Sequence, residues 1–101
     1  MARVNWTTQA LEDLDAVCLF IARDAPRYAE LLAGRMFEAA DVLGEFPNAG
    51  RIVPEIGRSE IRELIVQNYR LIYRTLADEI DILTVHHGAR LVGGFGSSDS
   101  S

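Results

Sequence analysis

Three arginines and two adjacent histidines in the second half of the chain have the residue types and spacing to do chemistry. In Tyr69-Arg70-Leu71-Ile72-Tyr73-Arg74, the two-residue period of a strand places Arg70, Ile72 and Arg74 on one face and Tyr69, Leu71 and Tyr73 on the other. Two guanidiniums then share a face. Arg62 on a neighbouring strand would complete a small cationic surface able to hold a phosphate or a partner's carboxylate. The same arginines also fit a solvated sheet face, paired across strands with Glu60, Glu63 or Asp81. His86-His87 offers imidazoles that titrate near neutral pH, one of which could serve as a general base. Strand neighbours point to opposite faces, and the chain has no cysteine pair and no metal-type carboxylate spacing, so no metal site is expected. A hydrogen-bonded, partly buried histidine is the competing reading for at least one of the two.

The elements that must position these groups follow from periodicity. Arg3-Val4-Asn5-Trp6 alternates as a short strand and runs into Thr7-Thr8, a helix N-cap signal. Leu11, Leu14, Cys18 and Ile21 recur at spacings of three and four, which predicts an amphipathic helix to about Arg23, with Glu12, Asp13 and Asp15 near its positive end. After Asp24-Ala25, Pro26 suits the first position of a second helix, and Tyr28, Leu32, Met36, Ala39, Leu43 and Phe46 give it one apolar stripe ending before Pro47. Asn48 to Gly50 and Pro54 to Ser59 read as loops. Residues 61–66, 69–76 and 80–87 are rich in β-branched and aromatic side chains and predict three strands. Their connections are too short for crossovers, so they form an antiparallel meander. The fold class is therefore α+β: an N-terminal strand and an α-helical hairpin packed on one face of an antiparallel sheet. The expected core is Leu14, Cys18, Ile21, Leu32, Met36, Leu43, Leu71 and Tyr73, with Arg70 outside it. Cys18 lies on the apolar stripe with no basic residue within four positions, and reads as a small buried hydrophobe rather than a reactive thiol.

Composition sets the outer limits. A chain of 101 residues that is 49% hydrophobic and 25% charged is one globular domain, too short for separate cofactor and substrate modules. The net charge of −5 disfavours wholesale phosphate binding. All ten cations are arginine, which suits a few fixed bidentate contacts, and genomic codon bias accounts for the same composition. The longest strictly apolar run, Ala16 to Ala22, is far short of the roughly 20 residues of a membrane span. Polar residues come too early for a secretory signal, and the single cysteine excludes an internal disulfide, so a cytoplasmic protein is expected. Gly93-Gly94-Phe95-Gly96 has no helix after it, which excludes a nucleotide-cradling loop, and no cofactor is implied. Residues 1–92 are read as one domain and 93–101 as a flexible C-terminal tail.

In this order and at this spacing, several segments together resemble the RelE/ParE superfamily of bacterial type II toxins. They are Val4-Asn5-Trp6-Thr7 with Ala10-Leu11-Glu12-Asp13-Leu14, Ile21-Ala22-Arg23-Asp24-Ala25-Pro26, Phe46-Pro47-Asn48-Ala49-Gly50-Arg51, Ile61-Arg62-Glu63-Leu64, Asn68 to Arg74, and Val85-His86-His87-Gly88-Ala89-Arg90. The resemblance covers about residues 3–92. It implies a growth inhibitor neutralised by a ParD-like or RelB-like antitoxin, with DNA contacted only through that antitoxin and no membrane partner. Members similar to RelE cut messenger RNA on the ribosome, whereas members similar to ParE poison DNA gyrase. For the nuclease, Arg70 matches the family's strand arginine, and His86, His87 and Arg90 are the remaining catalytic candidates. For target or phosphate binding, the candidates are Arg62, Arg70, Arg74 and Arg90. No tyrosine, lysine or histidine follows Arg90, and the chain is acidic, so the resemblance favours the gyrase poison. The alternatives are the ribosome-dependent endonuclease and an inert antitoxin-binding domain.

Overall fold

The structure, a computed structural model, describes residues 1–88; Arg90 and the expected tail at 93–101 lie outside the described residues. Strand β1 (Arg3–Trp6) leads into helix α1 (Thr8–Ala22), which turns back through α2 (Pro26–Glu45). Strands β2 (Arg51–Ile52), β3 (Ile61–Val66), β4 (Tyr69–Thr75) and β5 (Glu79–His87) follow. They form one five-stranded sheet in the order β1-β5-β4-β3-β2.

The expected meander is present. Val66 pairs with Tyr69 across the two-residue turn Gln67-Asn68, where Gln67 takes a left-handed φ of 57°. Two features go beyond the expectation. Strand β1 pairs parallel to β5, Val4 against Ile80 and Trp6 against Ile82, which makes the sheet mixed. Strand β2, a two-residue edge pairing Arg51 with Glu63, lies in a stretch without strand periodicity.

The start of α1 shows how sequence and packing cooperate. The Thr7 hydroxyl accepts the Ala10 N–H at 3.1 Å, satisfying one of the orphan donors of the first turn, and donates to the Ile82 carbonyl at 2.7 Å. One side chain thus caps the helix and ties it to β5. The acidic residues begin a turn later than the dipole argument expects. At the other end of the hairpin, α2 lies so close to the N-terminal strand that a Cβ on Gly44 would sit 2.9 Å from the Ala2 carbonyl oxygen. The Gly44 carbonyl accepts the Ala2 N–H at 2.8 Å.

Both helices cover the same face of the sheet. The core between them holds Leu14, Leu32, Met36, Leu43, Leu71, Tyr73, Ile80 and Ile82, all at most 4% exposed, with Cys18 and Ile21 half-buried at its margin. Trp6 and Phe37 meet with ring centroids 4.7 Å apart, fastening β1 to α2. The opposite face is not open to solvent throughout. The segment from Val53 to Glu60 folds over it and buries Val53 against Ile61 and Ile72, with Ile56 and Leu83 at the edge. Among the described residues, no helix is long and apolar enough to cross a membrane.

Candidate functional site

Strand β4 sits between β3 and β5, so each of its side chains is set by two neighbours. Arg70 stands opposite Ile65 on β3 and His86 on β5, on the face away from the helices. The Arg70 side chain is 6% exposed, and each of its three nitrogens is engaged. Its Nε donates to Glu63 Oε1 at 2.5 Å, and its two terminal nitrogens donate to the two oxygens of Glu55, each at 2.8 Å. Glu63 is itself completely buried and accepts a second bond from Arg51 Nε at 2.5 Å. Two guanidiniums and two carboxylates therefore make a neutral, interlocked group. Hydrogen bonding to Glu55 raises the Arg70 pKa above the ordinary arginine range, with burial opposing it, so Arg70 stays cationic at every accessible pH.

This overturns the expectation that Arg70 stands free of the core. Strand alternation locates the face correctly, but a loop distant in sequence covers that face and supplies Glu55. The expected cationic surface of Arg62, Arg70 and Arg74 does not form either. Arg62 pairs with Tyr73 and lies on the helix side, where it donates to the carbonyls of Ser59 and Gly50 at 3.1 and 3.0 Å. Arg74 is half-exposed and bonded to Asp81 Oδ2 at 3.2 Å. Cross-strand pairing with Glu63 and Asp81, the competing reading of these arginines, describes what Arg70 and Arg74 do.

The two histidines separate as the period requires. His86 shares its face with Arg70, whereas His87 pairs with Tyr69 and meets its ring edge-on at 5.4 Å on the helix side. His87 stands at one end of an open groove of about 370 Å³ between α1 and the β4–β5 strands, walled by Ala16, Val17, Phe20, Tyr69 and Val85, with Asp13 beside it. Burial raises the Tyr69 pKa, so its hydroxyl remains protonated. Phe20 is 68% exposed on this rim. Strand β1 stops opposite Ile82, leaving the next residues of β5 at an edge. Asp13 covers part of it, its Oδ2 accepting the Val85 N–H at 3.3 Å and the Thr84 hydroxyl.

Sequence reasoning missed Glu55, Arg51 and Asp13. Glu55 and Arg51 carry no local signal, because their roles depend on where a loop and an edge strand land. Asp13 sits where the dipole argument places an acidic residue, but its carboxylate caps the β5 edge. Among the described residues, no three His, Cys, Asp or Glu side chains gather to hold a metal.

The family profile of the ParE toxin of the type II toxin–antitoxin system, parDE, matches residues 4–92. The chain belongs to the ParE toxin family. It is 38% identical over 92 residues to Toxin RelE2 of Caulobacter vibrioides (strain ATCC 19089 / CIP 103742 / CB 15), covering 90% of this chain and all of that protein. It is 36% identical over 88 residues to Y4kP of Sinorhizobium fredii (strain NBRC 101917 / NGR234), covering 84% of this chain and 86% of that one. A solved structure of the chromosomal ParDE TA system from P. aeruginosa shares its fold, with a TM-score of 0.72 and 24% identity over 86% of this chain and 96% of the other. Membership in the RelE/ParE superfamily of type II toxins accounts for the helical hairpin on the sheet. In this ParE-family chain the strand arginine is locked between two glutamates.

Proposed function

We propose that this toxin acts by binding DNA gyrase in the cytoplasm, without a catalytic step of its own, and that a ParD-like antitoxin neutralises it. The observation that carries the reading is the state of Arg70. A ribonuclease of this fold needs an arginine on the substrate phosphate to stabilise the charged transition state. Here Glu55 and Glu63 accept from all three nitrogens of that guanidinium. His86 and His87, the two candidate catalytic histidines, face opposite sides of the sheet. The net charge of −5 adds repulsion toward ribosomal RNA. The groove beside α1, with Phe20 on its rim and the β5 edge behind it, is the surface an antitoxin's apolar segment would fill.

The test is to induce the chain without its antitoxin in bacteria. DNA-damage signalling should rise before translation falls, and a gyrase variant that escapes contact should restore growth. Codon-positioned cuts in translated messages would make the ribosome-dependent nuclease the correct reading, and unimpaired growth would leave the inert antitoxin-binding domain. Phe20→Asp should weaken antitoxin binding at least about tenfold with the fold intact, as loss of a large aromatic contact from an apolar binding surface commonly does.

A further inference from the structure

We propose that the exposed flank of α2 is a self-association surface, on which a second copy of this chain packs its own α2 antiparallel across a two-fold axis. Helix α2 carries two apolar rows. Ala29, Leu32, Met36, Ala40 and Leu43 form the buried row. Phe37 and Gly44 face β1 on one side of it. On the opposite flank a second row runs the length of the helix: Tyr28, Leu31 and Val42, which are 38%, 49% and 48% exposed, and the C-cap residue Phe46, 60% exposed, with Arg35 at the middle. The steps along this row, of three, four and seven residues, keep to one helix face. Over the 20 residues of α2 the row is about 30 Å long, which marks an interaction surface rather than scattered surface residues.

Charge selects the occupant. The first half of α2 holds Arg27, Glu30 and Arg35 and the second half Glu38, Asp41 and Glu45, so the helix is basic at its start and acidic at its end. That order opposes the helix's own dipole, which favours acidic groups at the N-terminus and basic groups at the C-terminus. Among the described residues, none of these six side chains enters an ion pair. An antiparallel copy supplies the missing partners. A two-fold axis at the middle of the helix sets Tyr28 against the second copy's Phe46 and Leu31 against its Val42, and brings Arg35 beside its Glu38 and Arg27 close to its Glu45. A parallel pairing would set like charges side by side. An open groove of about 470 Å³ at the end of the row, walled by Phe46, Pro47, Asn48 and Ala49 with Glu45 beside them, receives the second copy's Tyr28. None of the residues walling the groove beside α1 belongs to α2, so the surface proposed for the antitoxin stays open. A contact of this length falls at the small end of specific interfaces, below about 1,200 Å² in total, which places the dissociation constant in the micromolar range.

The experiment measures association of the purified full-length chain by sedimentation equilibrium up to about 200 µM, with circular dichroism to check the fold of each variant. The wild type should dimerise. Arg35→Glu and Glu38→Arg should each weaken the dimer about tenfold or more, because each sets like charges together twice across the two-fold axis. An equimolar mixture of these two variants should regain wild-type association, since every contact between positions 35 and 38 then joins opposite charges. A folding defect cannot produce that recovery. Val42→Asp, which puts a charge into the apolar row, should leave a folded monomer. A wild type that stays monomeric over this range overturns the proposal. So does a dimer that tolerates all three substitutions, or a mixture of the two charge variants that associates no better than either alone.

Discussion

The two faces of the sheet are built on different principles. Against the helices, a broad apolar layer of leucines, isoleucines, Met36 and Tyr73 is removed from water, and its stability comes from area and close packing. On the other face, among the described residues, only Val53, Ile61 and Ile72 are buried as a cluster, beneath the covering segment. That face adds charge: Arg70, Glu55, Glu63 and Arg51 in mutual contact. A large interface tolerates many sequences of similar volume, whereas a small one held by buried ions depends on each partner, because removing one strands the others.

The largest expected effect is on the charged face. Glu63→Gln removes the carboxylate that both Arg51 and Arg70 need, and should cost about 3–5 kcal/mol in denaturant unfolding. A loss near zero would show that the two faces do not differ in this way. On the apolar face, Leu71→Ala should cost about 2–5 kcal/mol by the same measurement, with the spread set by how far the core collapses into the gap.

Tyr73 sharpens the comparison because it carries a polar group into the apolar layer. Its hydroxyl donates to the Pro47 carbonyl at 2.8 Å and accepts the Gly50 N–H at 2.9 Å. A Cβ on Gly50 would lie 2.7 Å from that oxygen, so only glycine admits this geometry. Tyr73→Phe should cost about 1–3 kcal/mol, since the Gly50 N–H loses its acceptor. Burial holds the Tyr73 pKa above its ordinary value. The folded state then keeps its proton at a pH where the unfolded chain has lost it. This contribution is whole below the ordinary tyrosine pKa of ~10 and is lost as pH rises from there through the raised folded value. Alkaline unfolding of the phenylalanine variant should lack that component, and identical pH profiles would refute the assignment.

The smallest effect is expected where charge is exposed. Arg74→Ala breaks a single pair with Asp81 at a half-exposed side chain, and should shift stability by less than about 1 kcal/mol. A loss comparable to that of Glu63→Gln would mean that exposure does not separate the two arginines of β4.

Much of the architecture was legible in the residues. The Thr7 cap, Pro26 at the start of α2 and the two-residue turn at Gln67-Asn68 are local signals read by local rules. The apolar stripes and the alternation in β4 identified Leu14, Leu32, Met36, Leu43, Leu71 and Tyr73 as core, because these periods report which side of an element is dry whatever packs against it. The same alternation put Arg70 on the far side of β4 and separated His86 from His87.

What tertiary structure alone decided is what covers that far side. The stretch from Pro54 to Ser59 has the composition of a surface loop, and nothing within it announces that Glu55 will reach an arginine 15 residues later. The parallel pairing of β1 with β5 joins residues 76 apart, as in Arg3 with Glu79. Local period and capping determine an element and its dry face, since they act over one or two turns of chain. Whether a charged side chain on the other face meets water or a buried carboxylate depends on where a distant segment comes to rest, and that is set only when the whole core assembles.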